Sequence, residues 1–489
     1  MGYGRLILLG IDGMDFEYTK SILNKLPNLS RLDKAGIFRP LRSVFPPDSI
    51  PAWITCYTGE DPSEHGVLES VNYLARGDGR LKVDASSFQG KTFWDVIGNH
   101  GRQVCVINPL LAYPVWQVNG VMVNGPVFID GRIQHSNPVW LDGIAIPKSL
   151  GGIVDFPNQK TMVQFVEKTI LDTREQSEFG IKMLKKNYPD LFFQAFLTMD
   201  RLQHFLWRYC DPGDPTYPGE NDLQDSIELF YILIDSIIGE YIKLLGADDH
   251  IMIISDHGHG MRCTHCYNIN EELRKRGYVK SVADGKIFSR QLLVEKLKNF
   301  VLNFMNEHNL EDYISVIGKI VPNAQKLKKG KHITKESNNI AYASDFTGTN
   351  PFGGICINRS KTSDYEQFRS QLMEELVSFN DNGNPVFLWL KKREEMFAGK
   401  HLNRYPDILF CLKPKYGVNW NLHTKTVTIN PTHKKISGGH KENGIFFTTL
   451  SQNQLMEDSL TIENMFAVLL KYFDIESEKR SPKNSSEVN

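Results

Sequence analysis

An α/β fold, with a mostly parallel central sheet and helices on both faces, is what this sequence predicts, and three features carry the expectation. Short apolar runs recur along most of the chain. Longer stretches of helical period separate them. Aspartates or histidines follow several of the runs directly. Alternation of this kind builds parallel strands covered by helices, and ligands then gather at the strands' carboxyl ends.

In chain order, RLILLGI (5–11), QVCVIN (103–108), GVMVNG (120–125), LFFQAFLT (191–198), HIMIIS (250–255) and DILFCL (407–412) read as buried strands. The stretches from Thr161 to Lys186 and from Leu223 to Leu245 have the 3.6-residue period of helices. From about 276 to 340 the character changes. SRQLLVEKLKNFVLNFMNEHNL reads as an amphipathic helix, and the basic run KLKKGKHITK after it reads as a solvated face. Core is therefore expected over 1–280 and 341–474, with a helical cap or insertion over 281–340. The polar tail, 475–489, is expected to be disordered.

A chain of 489 residues exceeds one ordinary core, which agrees with a large domain plus an insertion. Hydrophobic residues at 41% and charged residues at 23% are ordinary for a soluble globular protein. A formal net charge of −1 supplies no global attraction to a nucleic-acid polymer or an anionic membrane. The first apolar run is too short for a signal peptide, and no later run approaches the roughly 20 residues of a spanning helix. Seven scattered cysteines argue against a disulfide framework. A reduced cytoplasmic protein without a membrane partner is expected.

Metal-ligand residue types stand at four places. Asp12 follows the first run in LILLGIDGMD, and Asp200 follows another in LFFQAFLTMDRLQHFLW, with His204 four residues on. Residues i and i+4 share one face of a helix, so a helix starting at Asp200 would aim both at one ion. Asp256 and His257 follow a third run, and His440 lies in the glycine-rich ISGGHKENG. Singly, each aspartate reads as a cap or turn former, and each histidine as a core-edge or loop residue. Together, three Asp and three His supply two mixed nitrogen and oxygen sites that zinc or manganese accepts.

PPDSIPAW (46–53) adds a serine just before a helical run. No Gly-x-Ser-x-Gly elbow surrounds Ser49, so a serine-hydrolase triad is not indicated. An unassisted hydroxyl is a poor nucleophile, but a neighbouring metal ion can activate one. A helix beginning at Pro51 or Ala52 would add dipole and N–H groups for an incoming anion. That combination suits attack on phosphorus.

With these residues in place, the sequence resembles the alkaline phosphatase superfamily, in the branch of type I phosphodiesterase/nucleotide pyrophosphatase proteins. It looks closest to the predicted phosphohydrolase or phosphomutase group. GIDGMD, LPNLSRLDKAG, PPDSIPAWITCYTGEDPSEHGV, INPLLAYPVWQVNGVMVNG, MDRLQHFLWRY, SDHGHG with NINEELRKRGYV, RYPDILF and SGGHKENGIF carry the resemblance, in the family's order. It implies an alkaline-phosphatase-like sandwich and two metal sites. Asp12, Asp256 and His257 would hold one ion, bridged by Ser49 as nucleophile; Asp200, His204 and His440 would hold the other. It further implies two divalent ions, zinc first and manganese second, and a covalent phospho-serine intermediate. The substrate would be a small phosphate ester, either a phosphodiester, a nucleotide pyrophosphate or a monoester.

Some positions depart from the family. Relatives often carry threonine as nucleophile. Nucleotide pyrophosphatases place a phosphoryl-steadying asparagine 21 residues past it, where this chain has Ser70, with Asn72 two further on. Both are candidate substrate-binding positions, as is Lys441; Arg42 and Arg201 also lie in or near the motifs. A sulfatase needs C/S-x-P-x-R, and Trp53 stands where that arginine would be. The cluster of His259, Cys263, His265 and Cys266 has the residue types of a structural zinc clip, but no second ligand pair follows, so free buried cysteines are expected. A phosphomutase and a non-catalytic metal-dependent binding protein are the alternatives.

Overall fold

The computed structural model describes residues 4–68, 85–127, 131–151, 156–285, 289–308, 310–313, 333–346, 348–451 and 460–476. Seven strands of its main sheet come first in the chain: β1 (Leu6–Ile11), β2 (Ile37–Arg42), β3 (Val104–Ile107), β4 (Gly120–Asn124), β5 (Gln134–His135), β6 (Leu191–Phe196) and β7 (His250–Ile254). Strands Asn443–Thr448 and Leu460–Thr461 complete it, in the order Leu460–Thr461, β2, Asn443–Thr448, β7, β1, β6, β3, β4, β5. The middle, from β7 through β1, β6 and β3 to β4, is parallel throughout. Among the described residues, the antiparallel pairs of this sheet are those of Asn443–Thr448 with β7 and β2, and of β5 with β4. The expected fold class is therefore the observed one.

Period-two alternation divides the strands between two cores. Leu6 and Leu8 face the layer holding helices Ser49–Thr58, Phe93–Asn99 and Asn464–Tyr472. Ile7, Leu9 and Ile11 face the layer of helices Met162–Asn187, Thr198–Cys210 and Ser226–Ile242. Phe193 on β6 is fully buried in the first layer, among the rings of Trp53, Tyr57, Phe93 and Trp94 at centroid distances of 6.4, 6.0, 5.5 and 5.9 Å. Its replacement would leave a cavity that four rigid rings cannot fill. Phe193→Ala is expected to cost about 3–5 kcal/mol of unfolding free energy, read as a lower urea midpoint at unchanged slope.

One expected strand lies elsewhere. Ile408–Leu412 belongs to a separate four-stranded antiparallel sheet, ordered Ala341–Ala343, Phe352–Ile357, Ile408–Leu412, Phe387–Lys392. Ile408, Phe410 and Leu412 enter one apolar cluster, and Leu409 and Cys411 another, so both faces are covered. Such a strand reads like a parallel one, because burial on two faces erases the alternation that marks antiparallel sheets. The amphipathic segment forms the helix Arg290–Glu307, whose Leu292 packs against the core of this second sheet. Most of the basic run and the tail lie outside the described residues. All seven cysteines are free. No described helix is long and apolar enough to cross a membrane.

Candidate active site

Four chain segments converge at the carboxyl ends of the central strands. Asp12 follows β1, which lies between β6 and β7. Gly13 turns the chain there at φ +73°, and a Cβ on it would come within 2.9 Å of the Asp200 Cβ, so glycine meets both a backbone need and a close approach. Asp200 sits in the first turn of the Thr198–Cys210 helix after β6, with His204 one turn on. Asp256 and His257 follow β7. Strand β8 (Gly258–Met261) then pairs antiparallel with Gly438–Lys441, placing His440 opposite His259.

Ser49 is the first residue of its helix, and Asp48 caps that helix by accepting a hydrogen bond from the Ile50 N–H. The helix thus starts two residues earlier than Pro51, because an aspartate cap outweighs the proline as a start signal here. Ser49 Oγ donates to Asp12 Oδ1 at 3.2 Å and lies 2.9 Å from His257 Nε2.

Two clusters result. Asp12, Asp256 and His257 form a fully buried one. Asp200, His204, His259 and His440 form the other. In the second, Asp200 Oδ1 is 3.3 Å from His440 Nε2 and 3.4 Å from His259 Nε2, while Asp200 Oδ2 is 3.3 Å from His204 Nε2. The rings of His257 and His440 stack at 3.9 Å, joining the clusters. Nδ1 of His204, His257 and His440 each lies 2.9–3.0 Å from a backbone carbonyl, of Gly438, Gly258 and Pro47. A carbonyl only accepts, so Nδ1 of each ring carries a proton and Nε2 is the nitrogen turned to the cluster.

Electrostatics favour a cation. Burial pushes the Asp12 and Asp256 carboxyls well above the usual carboxylate range, with repulsion from neighbouring carboxylates adding to it. Burial pushes Asp200 the same way, but the charge and hydrogen bond of His204, and then His440, hold it well below that range. His440 rises to about 9, since its hydrogen bond and charge contact with Asp200 overcome burial. Burial takes His257 down to about 3 and His259 well below its ordinary value. Asp256 Oδ2 and both ring nitrogens of His259 are buried with no hydrogen-bond partner. Orphaned carboxylate and imidazole atoms facing one another are the donor set of a divalent metal centre.

His259 was outside the expected ligand set. Strand β8 puts it beside Asp200, away from any cysteine site: among the described residues the two clusters above are the metal-suited groups, and neither contains Cys263 or Cys266. Its signal was available, since His257 and His259 are two apart, and residues i and i+2 share a face when HGHGM is read as a strand rather than a turn. Lys441 is exposed beside His440, its Nζ 6.0 Å from the Trp207 ring. Arg201 lies over Phe165 at 5.3 Å, and Arg42 ends β2 opposite Asn443. Ser70 and Asn72 lie outside the described residues.

The family profile of type I phosphodiesterase / nucleotide pyrophosphatase matches residues 6–440. Among solved structures, phosphonoacetate hydrolase from Sinorhizobium meliloti 1021 in complex with phosphonoacetate is similar at a TM-score of 0.57 and 15% identity, over 96% of each chain. The same enzyme with phosphonoformate is similar at 0.51, again at 15% identity and 96% of each chain. Human ectonucleotide pyrophosphatase / phosphodiesterase 5 is aligned at 0.46 and 12% identity, over 98% of this chain and 97% of that one. At these identities the phosphonoacetate hydrolase likenesses speak to the fold alone.

Proposed function

Since this chain belongs to the type I phosphodiesterase / nucleotide pyrophosphatase family, of the alkaline phosphatase superfamily, and is thereby a hydrolase of phosphate esters, we propose that it acts through two divalent ions and a covalent phospho-Ser49 intermediate. One observation carries the proposal: Ser49 Oγ lies within 3.2 Å of Asp12 Oδ1 and 2.9 Å of His257 Nε2, at the first residue of a helix. A hydroxyl in that position shares its surroundings with the buried Asp12, Asp256 and His257 cluster, and the helix directs the positive end of its dipole to the same point.

Asp200, His204 and His440, with His259 beside them, would hold the second ion. Three imidazoles and one carboxylate favour zinc there, whereas the aspartate-rich cluster accepts zinc or manganese. Bound divalent ions would supply the positive charge that lets a hydroxyl ionise near neutral pH and that neutralises phosphoryl oxygens. Ser49 Oγ attacks phosphorus, so that an O–P bond to serine forms as the ester P–O bond breaks and the leaving oxygen departs with its electron pair. Water then attacks the same phosphorus, the bond to Ser49 breaks, and the serine oxygen recovers a proton. Lys441, exposed next to His440, is the side chain proposed to meet a phosphoryl charge.

The substrate is proposed to be a small phosphate ester. Metal-stripped protein, reloaded with zinc or with manganese, is expected to hydrolyse p-nitrophenyl phosphate or bis-p-nitrophenyl phosphate. The better of the two assigns monoester or diester specificity. No metal-dependent turnover of either, with both ions bound, would overturn the two-ion phospho-Ser49 route proposed here.

A further inference from the structure

The helix that carries Ser49 also touches a proposed ligand from its next turn. Trp53 lies four residues after Ser49, on the same helix face, and its indole Nε1–H donates to Asp12 Oδ2 at 3.0 Å. Asp12 Oδ1 is left toward Ser49 Oγ at 3.2 Å and His257 Nε2 at 3.6 Å. The two oxygens of one carboxylate thus have separate partners, one deep in the core and one in the cluster. The indole itself is immobile. Trp53 is 0% exposed and stacks on Tyr57 at 5.9 Å with a 25° interplanar angle.

Gly10, two residues before Asp12 on β1, has no side chain where the indole lies. A Cβ there would meet Trp53 Cη2 at 2.5 Å and Cζ3 at 3.1 Å. The close approach of ring to strand is what lets Nε1 reach past β1 to the carboxylate at its end. Residues of the GID motif and of the PAW motif, distant in the chain, therefore form one unit.

We propose that Trp53 is the positioning residue of the Asp12 ligand: its N–H fixes Oδ2 and so aims Oδ1 at Ser49 and at the ion held by Asp12, Asp256 and His257. The inference rests on the two-ion reading above. Hydrogen-bonding partners of metal ligands commonly set ligand orientation, and their loss weakens metal retention about 10–100-fold. Because Trp53 and Ser49 share a helix, nucleophile and ligand orientation move together.

The test compares wild type with Trp53→Phe, which keeps an aromatic ring but has no N–H, and with Gly10→Ala, which displaces the ring without removing its donor. Zinc retention is followed by chelator competition, with total metal measured by mass spectrometry and the metal-free proteins melted alongside. In both variants, one of two zinc equivalents is expected to be held about 10–100-fold more weakly while the other keeps its wild-type retention. Wild-type retention of both equivalents by Trp53→Phe, whatever its melting temperature, would overturn the inference and leave the indole as packing only. Equal weakening of both equivalents would overturn it too, because the loss would then be general. Wild-type protein that retains no zinc would remove the two-ion reading itself, and this inference with it, a result distinguishable from the others by the wild-type arm alone.

Discussion

Ser49→Ala is expected to lower kcat by on the order of 10³-fold or more, the scale of losing a nucleophile that acts as part of a unit. Metal content should stay at two equivalents, since the Asp and His donors of both clusters remain. The substitution removes one oxygen at a half-buried position and leaves the Asp48 cap of the helix in place, so the fold should tolerate it. Pre-steady-state measurement adds a second readout. Wild type with a fast-leaving ester should give a burst equal to the enzyme concentration, and acid quench should trap phosphate on Ser49. Full activity in Ser49→Ala would sink the covalent route, because the Ser49 hydroxyl is the one in contact with both Asp12 and His257 among the described hydrogen bonds.

Asp256→Asn should affect stability in opposite directions with and without metal. Asp256 is fully buried, and its carboxyl is pushed far up first by burial and then by the Asp200 charge. Without metal, the charged form is a liability, and an amide of the same shape removes it while Oδ1 still accepts from the Gly13 N–H. Metal-stripped Asp256→Asn is therefore expected to be more stable than metal-stripped wild type by about 1–3 kcal/mol. With zinc present the order should invert, because wild type gains binding energy from an ion the variant holds poorly.

The pH dependence has the same cause. Asp12 and Asp256 hold their protons to higher pH in the folded state than in the unfolded chain. Between the unfolded and folded values the native state binds more protons, so the stability of metal-stripped protein should fall as pH rises through the folded values. Asp200 has the opposite sign, but its carboxyl is held down in the fold, so its contribution is confined to pH below the ordinary carboxylate range. His440, held up to about 9 by Asp200 against burial, adds a fall of its own as pH rises above the ordinary imidazole value. Thermal melts of stripped protein across roughly pH 5 to 8 read the net slope, and a slope of the same sign and size in Asp256→Asn would contradict the assignment to Asp256.

Much of the main sheet was legible because its signals are local. Continuous apolar runs at 5–11, 103–108, 120–125, 191–198 and 250–255 became β1, β3, β4, β6 and β7 with ends moved by a residue or two. The Thr161 and Leu223 stretches became helices Met162–Asn187 and Ser226–Ile242. Asp200 and His204 were readable as a pair because a helix repeats its faces every three to four residues. DILFCL was readable as a strand but not as a member of a second sheet, since nothing inside a doubly buried strand names its neighbour.

Residue types at the strand ends, the periods that make strands and helices, and the order in which they follow can all be read along the chain. Those depend on side-chain spacing over a few residues, which is a property of the chain. Which ends meet is a matter of packing: Ser49 with His257 across 208 positions, His440 with His204 across 236, and Trp53 with Asp12 through the space left at Gly10. Sheet order sets those meetings, and it is decided by which faces bury together. His259 shows the difference most clearly. Its distance from the cysteines in sequence is short, but strand pairing with Gly438–Lys441 turns it to Asp200, with its Nε2 3.4 Å from Asp200 Oδ1.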